Sequence, residues 1–216
     1  KIYEKIYHFN NNFISLNFQA FGHIQHYKNL NYLEYELFRN NQSIGYHKYD
    51  FIKDGEKLSI ESEVNFKITK LGVDLYKYFA KSQENYEKGV FKSYSSKTKQ
   101  NKKDRYVNIK VDTAEKNLII DGSSYKGKAN NQFIVGTWWN HEIVDAKAQI
   151  SGISGRIIEQ TVTFLGKEEV KIGNKTYKTL HFNFKSSDET LPESKKLNTD
   201  IWYEENTYLW VKAAFE

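Results

Sequence analysis

A two-residue rhythm is the feature that most limits how this chain can fold. From Asn31 onward apolar and polar side chains alternate in long runs, and glycine-bearing pairs break the runs. Alternation at period two puts successive side chains on opposite faces of an extended strand. Tyr32, Glu34, Glu36 and Phe38 oppose Leu33, Tyr35 and Leu37, and residues 39–42 supply a turn. Ile44, Tyr46, Lys48 and Asp50 then oppose Gly45, His47, Tyr49 and Phe51, and the run closes at Asp54-Gly55. Glycine reaches positive φ without steric cost, so Asp-Gly between alternating runs signals a hairpin. Leu58, Ile60 and Ser62, continued by Val64, Phe66 and Ile68, line one face of a third run that ends at Leu71-Gly72. Val73, Leu75, Lys77 and Phe79 open a fourth, with Tyr76 and Tyr78 on its second face and Lys88-Gly89 at its end.

Residues 90–98 return, and shorter strands are expected over 106–111 and 118–120, with Asp121-Gly122 as a turn. Later runs cover 156–165, 167–172 and 176–184, and a final hairpin joins 200–203 to 208–215. The polar stretch 186–198 holds the only proline, Pro192, and reads as an exposed loop. No helical segments separate the strands, so the βαβ rhythm of a parallel sheet is excluded. The expected class is all-β with minor α: a curved antiparallel meander sheet or incomplete β-barrel with a short helical plug.

The plug is Val135-Gly136-Thr137-Trp138-Trp139-Asn140-His141-Glu142, which interrupts the alternation and sets two of the four tryptophans side by side. Residues 137–147 are expected in the concavity or mouth of the sheet. A helical turn or two is expected over 142–150, with Ile143 and Val144 facing the strands. Residues 1–28 read as an N-terminal extension or arm, and 29–216 as one antiparallel β domain. In the arm Ile2, Ile6, Phe9, Phe13, Leu16 and Ala20 recur at helical steps, while Ile14, Leu16, Phe18 and Ala20 alternate. A short helix followed by a strand is expected there.

Aromatic residues make up 16% of the chain, enough apolar area for a packed core and against extensive disorder. There are no cysteines, which excludes disulfides, thiolate catalysis and Cys-ligated metal clusters. The net charge of +5 is local: residues 92–110 carry seven basic side chains against Asp104, so the remainder sums to about −1. That stretch, expected as a loop or hairpin tip, offers Lys97, Lys99, Lys102, Lys103 and Arg105 to an anionic membrane surface rather than to nucleic acid. The chain begins with Lys1, consistent with a removed leader or a trimmed start.

The order of landmarks adds a resemblance. Tyr35-Glu36-Leu37-Phe38-Arg39 leads to Ile44-Gly45-Tyr46-His47, then to Trp138-Trp139-Asn140, to Ser154-Gly155-Arg156-Ile157-Ile158, and to Trp202-Tyr203 with Leu209-Trp210-Val211-Lys212. From about Asn31 to Glu216 the chain resembles a family of exported bacterial proteins classed as a domain of unknown function. Such families are similar in turn to periplasmic curved-sheet proteins such as the LolA and LolB lipoprotein carriers. The resemblance implies a periplasmic or secreted all-β domain and transfers no activity.

Three function classes follow. The first is a non-enzymatic protein that binds a lipid or other apolar molecule on the concave face, with Trp138, Trp139, Trp202, Tyr203 and Trp210 as ligand contacts. The second is a cell-envelope scaffold that meets a protein partner through sheet edges or the arm. The third is an enzyme with a site that spacing does not reveal. His141-Glu142 begins like a zinc helix but meets Asp145 where the second histidine belongs. His23 and His26 have metal-compatible spacing within the uncertain arm. Ser96-x-x-Lys99 and Ser123-x-x-Lys126 match a nucleophile spelling outside its helical context. No catalytic residue, metal or cofactor is therefore assigned.

Overall fold

The alternating runs are strands, and each pairs with the next. The computed structural model describes residues 2–11 and 30–215. Its first meander comprises β1 (Ile2–Asn11), β2 (Leu30–Arg39), β3 (Gln42–Asp54), β4 (Lys57–Lys70), β5 (Val73–Glu87), β6 (Val90–Gln100), β7 (Lys103–Asp112), β8 (Asn117–Gly122) and β9 (Lys126–Asn130). The second comprises β10 (Ile134–Val135), β11 (Ala148–Ile150), β12 (Ile157–Ile172), β13 (Lys175–Ser186), β14 (Asn198–Glu204) and β15 (Trp210–Phe215). β15 lies antiparallel to β1, so the two meanders join there into one curved, open 15-stranded sheet with β9 and β10 at its edges. Only β10 and β11 run parallel among the described strands.

The class is all-β as expected, with no α-helix among the described residues. The curved sheet turns one face inward, where Leu33, Tyr35 and Leu37 of β2, Tyr49 and Phe51 of β3, and Ile60 of β4 are buried. Their chain neighbours face outward, as period two requires. Residues 151–156, between β11 and β12, cross to the far side of the curve. The Gly152 carbonyl accepts from the Tyr94 hydroxyl (3.0 Å) and the Ser96 hydroxyl (2.5 Å), and the Ser154 carbonyl from the Ser124 amide (2.9 Å). Gly122 is needed at this crossing, because a Cβ there would stand 2.4 Å from the Ser154 carbonyl oxygen. The strap thus ties β11–β12 to β6–β8 where the ladder does not close.

Four expectations are corrected. The helix expected near the start is strand β1, held between β15 and β2; a 3.6-residue spacing of apolar side chains lost to two available partner strands. The continuation over 12–29, with His23 and His26, lies outside the described residues. The runs 156–165 and 167–172 are one strand, β12, whose register shifts at Leu165 by a bulge beside Gly166 at φ 132°. The hairpin tip expected in the basic stretch, between the runs 90–98 and 106–111, is present but shorter: β6 continues to Gln100 and β7 starts at Lys103, leaving a two-residue turn. The helical turns expected over 142–150 reduce to a 3-10 turn, His141–Val144, before β11. Ile143 is nevertheless buried, and Val144 packs partly buried against the core, as expected.

Candidate functional site

The plug closes one end of the interior. Trp138 has a left-handed backbone, φ 56°, which costs a non-glycine residue roughly 1–2 kcal/mol. Buried tyrosines secure the kink from two strands: the Tyr49 hydroxyl donates to the Thr137 carbonyl and the Tyr203 hydroxyl to the Trp138 carbonyl, both at 2.8 Å. The kink sends the adjacent indoles apart. Trp138 meets Phe184 edge-on at 5.2 Å, whereas Trp139 meets Phe51 and Tyr86 at 5.7 and 5.8 Å. The Trp139 N–H donates to Glu84 at 2.9 Å, and the same carboxyl accepts from the Tyr86 hydroxyl (2.5 Å) and the Thr137 hydroxyl (3.3 Å). Glu84 is 2% exposed. Burial pushes its carboxyl above the usual glutamate range, and the three donors only partly offset that.

Beyond the plug the interior is hollow. Reading across the ladder, Tyr49, Ser62, Ser82 and Ser96 form one rung of inward positions, and His47, Val64, Ala80 and Thr98 the next. Small side chains on β4, β5 and β6 leave a cavity of about 340 Å³, walled also by Leu37, Phe66, Tyr78, Trp138, Ile158 and Phe215. The volume is near the lower end of the roughly 300–1,000 Å³ usual for small-molecule sites. Hairpins alternate ends in a meander, so the hollow extends towards the β4–β5 and β6–β7 turns, with Gly136, Thr137 and Trp138 of the plug forming its other boundary.

One wall of the hollow is polar and ordered. The His47 imidazole Nδ1 lies 3.3 and 3.4 Å from the two carboxyl oxygens of Glu4, and its Nε2 lies 3.0 Å from the Ser62 hydroxyl. Nδ1 donating to Glu4 leaves Nε2 to accept from Ser62, so these partners select one tautomer. Glu4 and His47 are buried and Ser62 is half-buried. Aromatic rings brace the imidazole: Tyr49 at 4.4 Å, Trp210 at 5.9 Å and Tyr35 at 6.2 Å. Glu4 is on β1, two strands from β3, and reaches His47 across β2 because the sheet curves.

The aromatic residues expected to contact a ligand are divided. Trp138 lines the hollow. Trp139, Tyr203 and Trp210 are fully buried in the packed core, with Trp210 stacked on Tyr35 at 4.2 Å. Trp202 occupies the other face of β14 from Tyr203. It stacks on His181 at 4.1 Å beneath the Lys212 ammonium at 3.9 Å, and Glu168 accepts its N–H.

The basic residues are drawn together at the hollow end. Lys97 and Lys99 project outward from β6, and Lys102 and Lys103 sit at the β6–β7 tip, all exposed. Arg105 departs from them: half-buried, it donates to Gln100 at 3.2 Å and to Ser124 at 3.3 Å. This tip is locked to the β4–β5 hairpin, since the Asn101 amide donates to the Lys77 carbonyl and the Lys77 amide to the Asn101 side chain, both at 2.8 Å. That hairpin exposes Leu71 (96%), Val73 (62%) and Leu75 (55%), and Leu71 has a left-handed φ of 51° in its turn.

Glu4, His47 and Ser62 were not assigned roles from sequence. His47 and Ser62 carried a signal, a polar side chain on the face their strands otherwise reserve for Tyr49, Phe51 and Ile60. Glu4 carried none while its segment read as a helix.

Comparison with curated proteins and with solved structures finds no match. A family model described as a domain of unknown function, DUF6134, matches residues 35–216. That span takes in every strand from within β2 to β15 and with it His47 and Ser62, and the chain therefore belongs to the DUF6134 family.

Proposed function

We propose that this protein holds a small, mainly apolar ligand with a hydrogen-bonding head in the hollow of its curved sheet. The observation that carries this reading is the rung pattern on β4–β6. Interiors normally fill to crystal-like density, yet here Ser62, Ser82, Ser96 and Ala80 stand where Ile60 and Tyr94 fill the neighbouring rung. Apolar side chains supply most of the remaining wall, and Glu4, His47 and Ser62 supply a polar pole for the head.

The hairpin tips support an accompanying role at an anionic membrane surface. Leu71, Val73 and Leu75 are exposed with Lys70 on the β4–β5 hairpin, and the β6–β7 tip that meets this hairpin at Lys77 exposes Lys99, Lys102 and Lys103. Apolar tips flanked by lysines suit shallow insertion next to acidic headgroups, each lysine contributing about 1 kcal/mol near such a surface. An apolar ligand would then enter from the side on which the hollow lies. A periplasmic or secreted setting belongs with this reading and is checked by fractionating the producing cells.

Native mass spectrometry of protein purified without detergent tests the ligand. Added mass that is lost on denaturation, and absent from Ala80→Leu, is the expected result. Bare protein that also fails to take up an apolar fluorescent probe would overturn it.

A further inference from the structure

We propose that Glu4, His47 and Ser62 form an acyl-transfer relay that hydrolyses a short acyl ester in the hollow. The inference rests on the reading of the hollow as an apolar-ligand site and deepens it by naming the ligand class. Three groups far apart in sequence meet in the order an activated serine requires: an acid that orients the imidazole, an imidazole that can take a proton, and a hydroxyl that can give one. The separations are 3.3 Å and 3.0 Å. All three side chains line the cavity; the acid and imidazole are buried, the imidazole packed against Tyr49 and Trp210.

Ser62 Oγ attacks the ester carbonyl carbon while His47 Nε2 takes the hydroxyl proton. The bond to the alcohol oxygen breaks, and that oxygen leaves with the proton from His47, giving acyl-Ser62 and a free alcohol. Water then attacks the acyl carbon as His47 takes one of its protons. The Ser62–acyl bond breaks and the proton returns to Oγ, releasing the carboxylic acid. One ester and one water give one acid and one alcohol. Ser82 is directly across the β4–β5 pair from Ser62 and lines the same wall, and its hydroxyl is the nearest rung neighbour available to the developing oxyanion. Ser62 and His47 are the catalytic residues of this scheme, and Glu4 is a positioning residue. A cavity of about 340 Å³ suits an acyl chain of a few carbons better than a full lipid tail.

The test uses the intact protein, a fluorophosphonate probe, p-nitrophenyl butyrate and an apolar fluorescent dye. Covalent labelling mapped to Ser62, lost in Ser62→Ala, is expected. Hydrolysis is expected to fall about 10²–10⁴-fold in His47→Gln, with the urea midpoint recorded beside it to show that the variant folds. Glu4→Gln is expected to lower kcat with KM little changed, a split that a merely structural loss would not give. Dye binding without labelling of Ser62, or hydrolysis unchanged in Ser62→Ala, overturns the relay and leaves the hollow. Labelling of Ser62 without dye binding supports the relay and overturns the apolar hollow. Absence of both overturns both.

Discussion

The two ends of the sheet's interior are made by the same strands and filled differently. Where Ile60, Glu84 and Tyr94 form a rung of β4, β5 and β6, the plug sets Trp139 on Glu84 and against Phe51 and Tyr86. One rung further, Ser62, Ser82 and Ser96 stand in equivalent positions, and the interior is hollow. Backbone geometry is continuous between the rungs, so side-chain volume alone decides which end is core and which is cavity. The polar groups differ in kind as well. Glu84 is a buried carboxyl met by three neutral donors, an arrangement that fixes the plug. Glu4 is linked through an imidazole to a hydroxyl at a cavity wall, an arrangement that leaves a group for something else to meet.

The largest expected effect tests the filled end. Trp139→Ala should destabilise the fold by about 3–5 kcal/mol in urea unfolding, because it opens a core cavity and removes a donor from Glu84. A loss below about 1 kcal/mol would mean that the plug is not core, and the contrast would collapse. Filling the hollow should act in the opposite sense. Ala80→Leu should weaken apolar-dye binding at least about tenfold, or about 1.4 kcal/mol, while the urea midpoint holds or rises. Strong destabilisation by this variant would show that no room exists at that rung.

Acidity sharpens the same contrast. Because burial raises the Glu84 value, the folded state keeps that proton to higher pH than the unfolded chain does. The folded state therefore binds more protons across that window, and stability falls as pH rises from the ordinary glutamate range through the raised value. Glu84→Gln should abolish this fall in the variant, so that the difference between variant and parent in urea midpoints changes across that pH range. A parallel pair of curves would contradict the assignment. The smallest effect concerns Leu71, an exposed leucine with left-handed backbone. Leu71→Asn should raise stability by up to about 1 kcal/mol, since asparagine tolerates that conformation, yet reduce cosedimentation with anionic vesicles. Unchanged vesicle binding would separate this tip from any membrane role.

The fold was legible because each strand repeats one local rule, and Asp54-Gly55, Leu71-Gly72, Lys88-Gly89 and Gly173-Asn174 fall at turns. β9 and β10 were missed: Lys126–Asn130 carries little apolar alternation, and Ile134–Val135 is too short to show a period. The plug was found by its broken rhythm, but the roles of its tryptophans were not, since burial of Trp139 against Glu84 depends on a partner 55 positions away. The relay was hidden for the same reason. Period two tells which face a residue is on, while the curvature that brings β1 over β2 to β3 is a property of the assembled sheet.

The pairing of β15 with β1 has a consequence for how the molecule comes together. Every other neighbouring pair of long strands lies close along the chain, so each can zip as a local hairpin with little loop entropy to overcome. The β1–β15 seam instead joins Ile2 to Phe215, a closure across all the intervening strands and slow by its topology. During synthesis β1 has one neighbour and a bare edge until the last strand emerges. Glu4 lies on that strand and faces Ala213 across the seam. The acid of the relay thus lies on the strand that precedes all the others of the sheet along the chain, yet is among the last to be locked in register, so the polar wall of the hollow matures only when the sheet does.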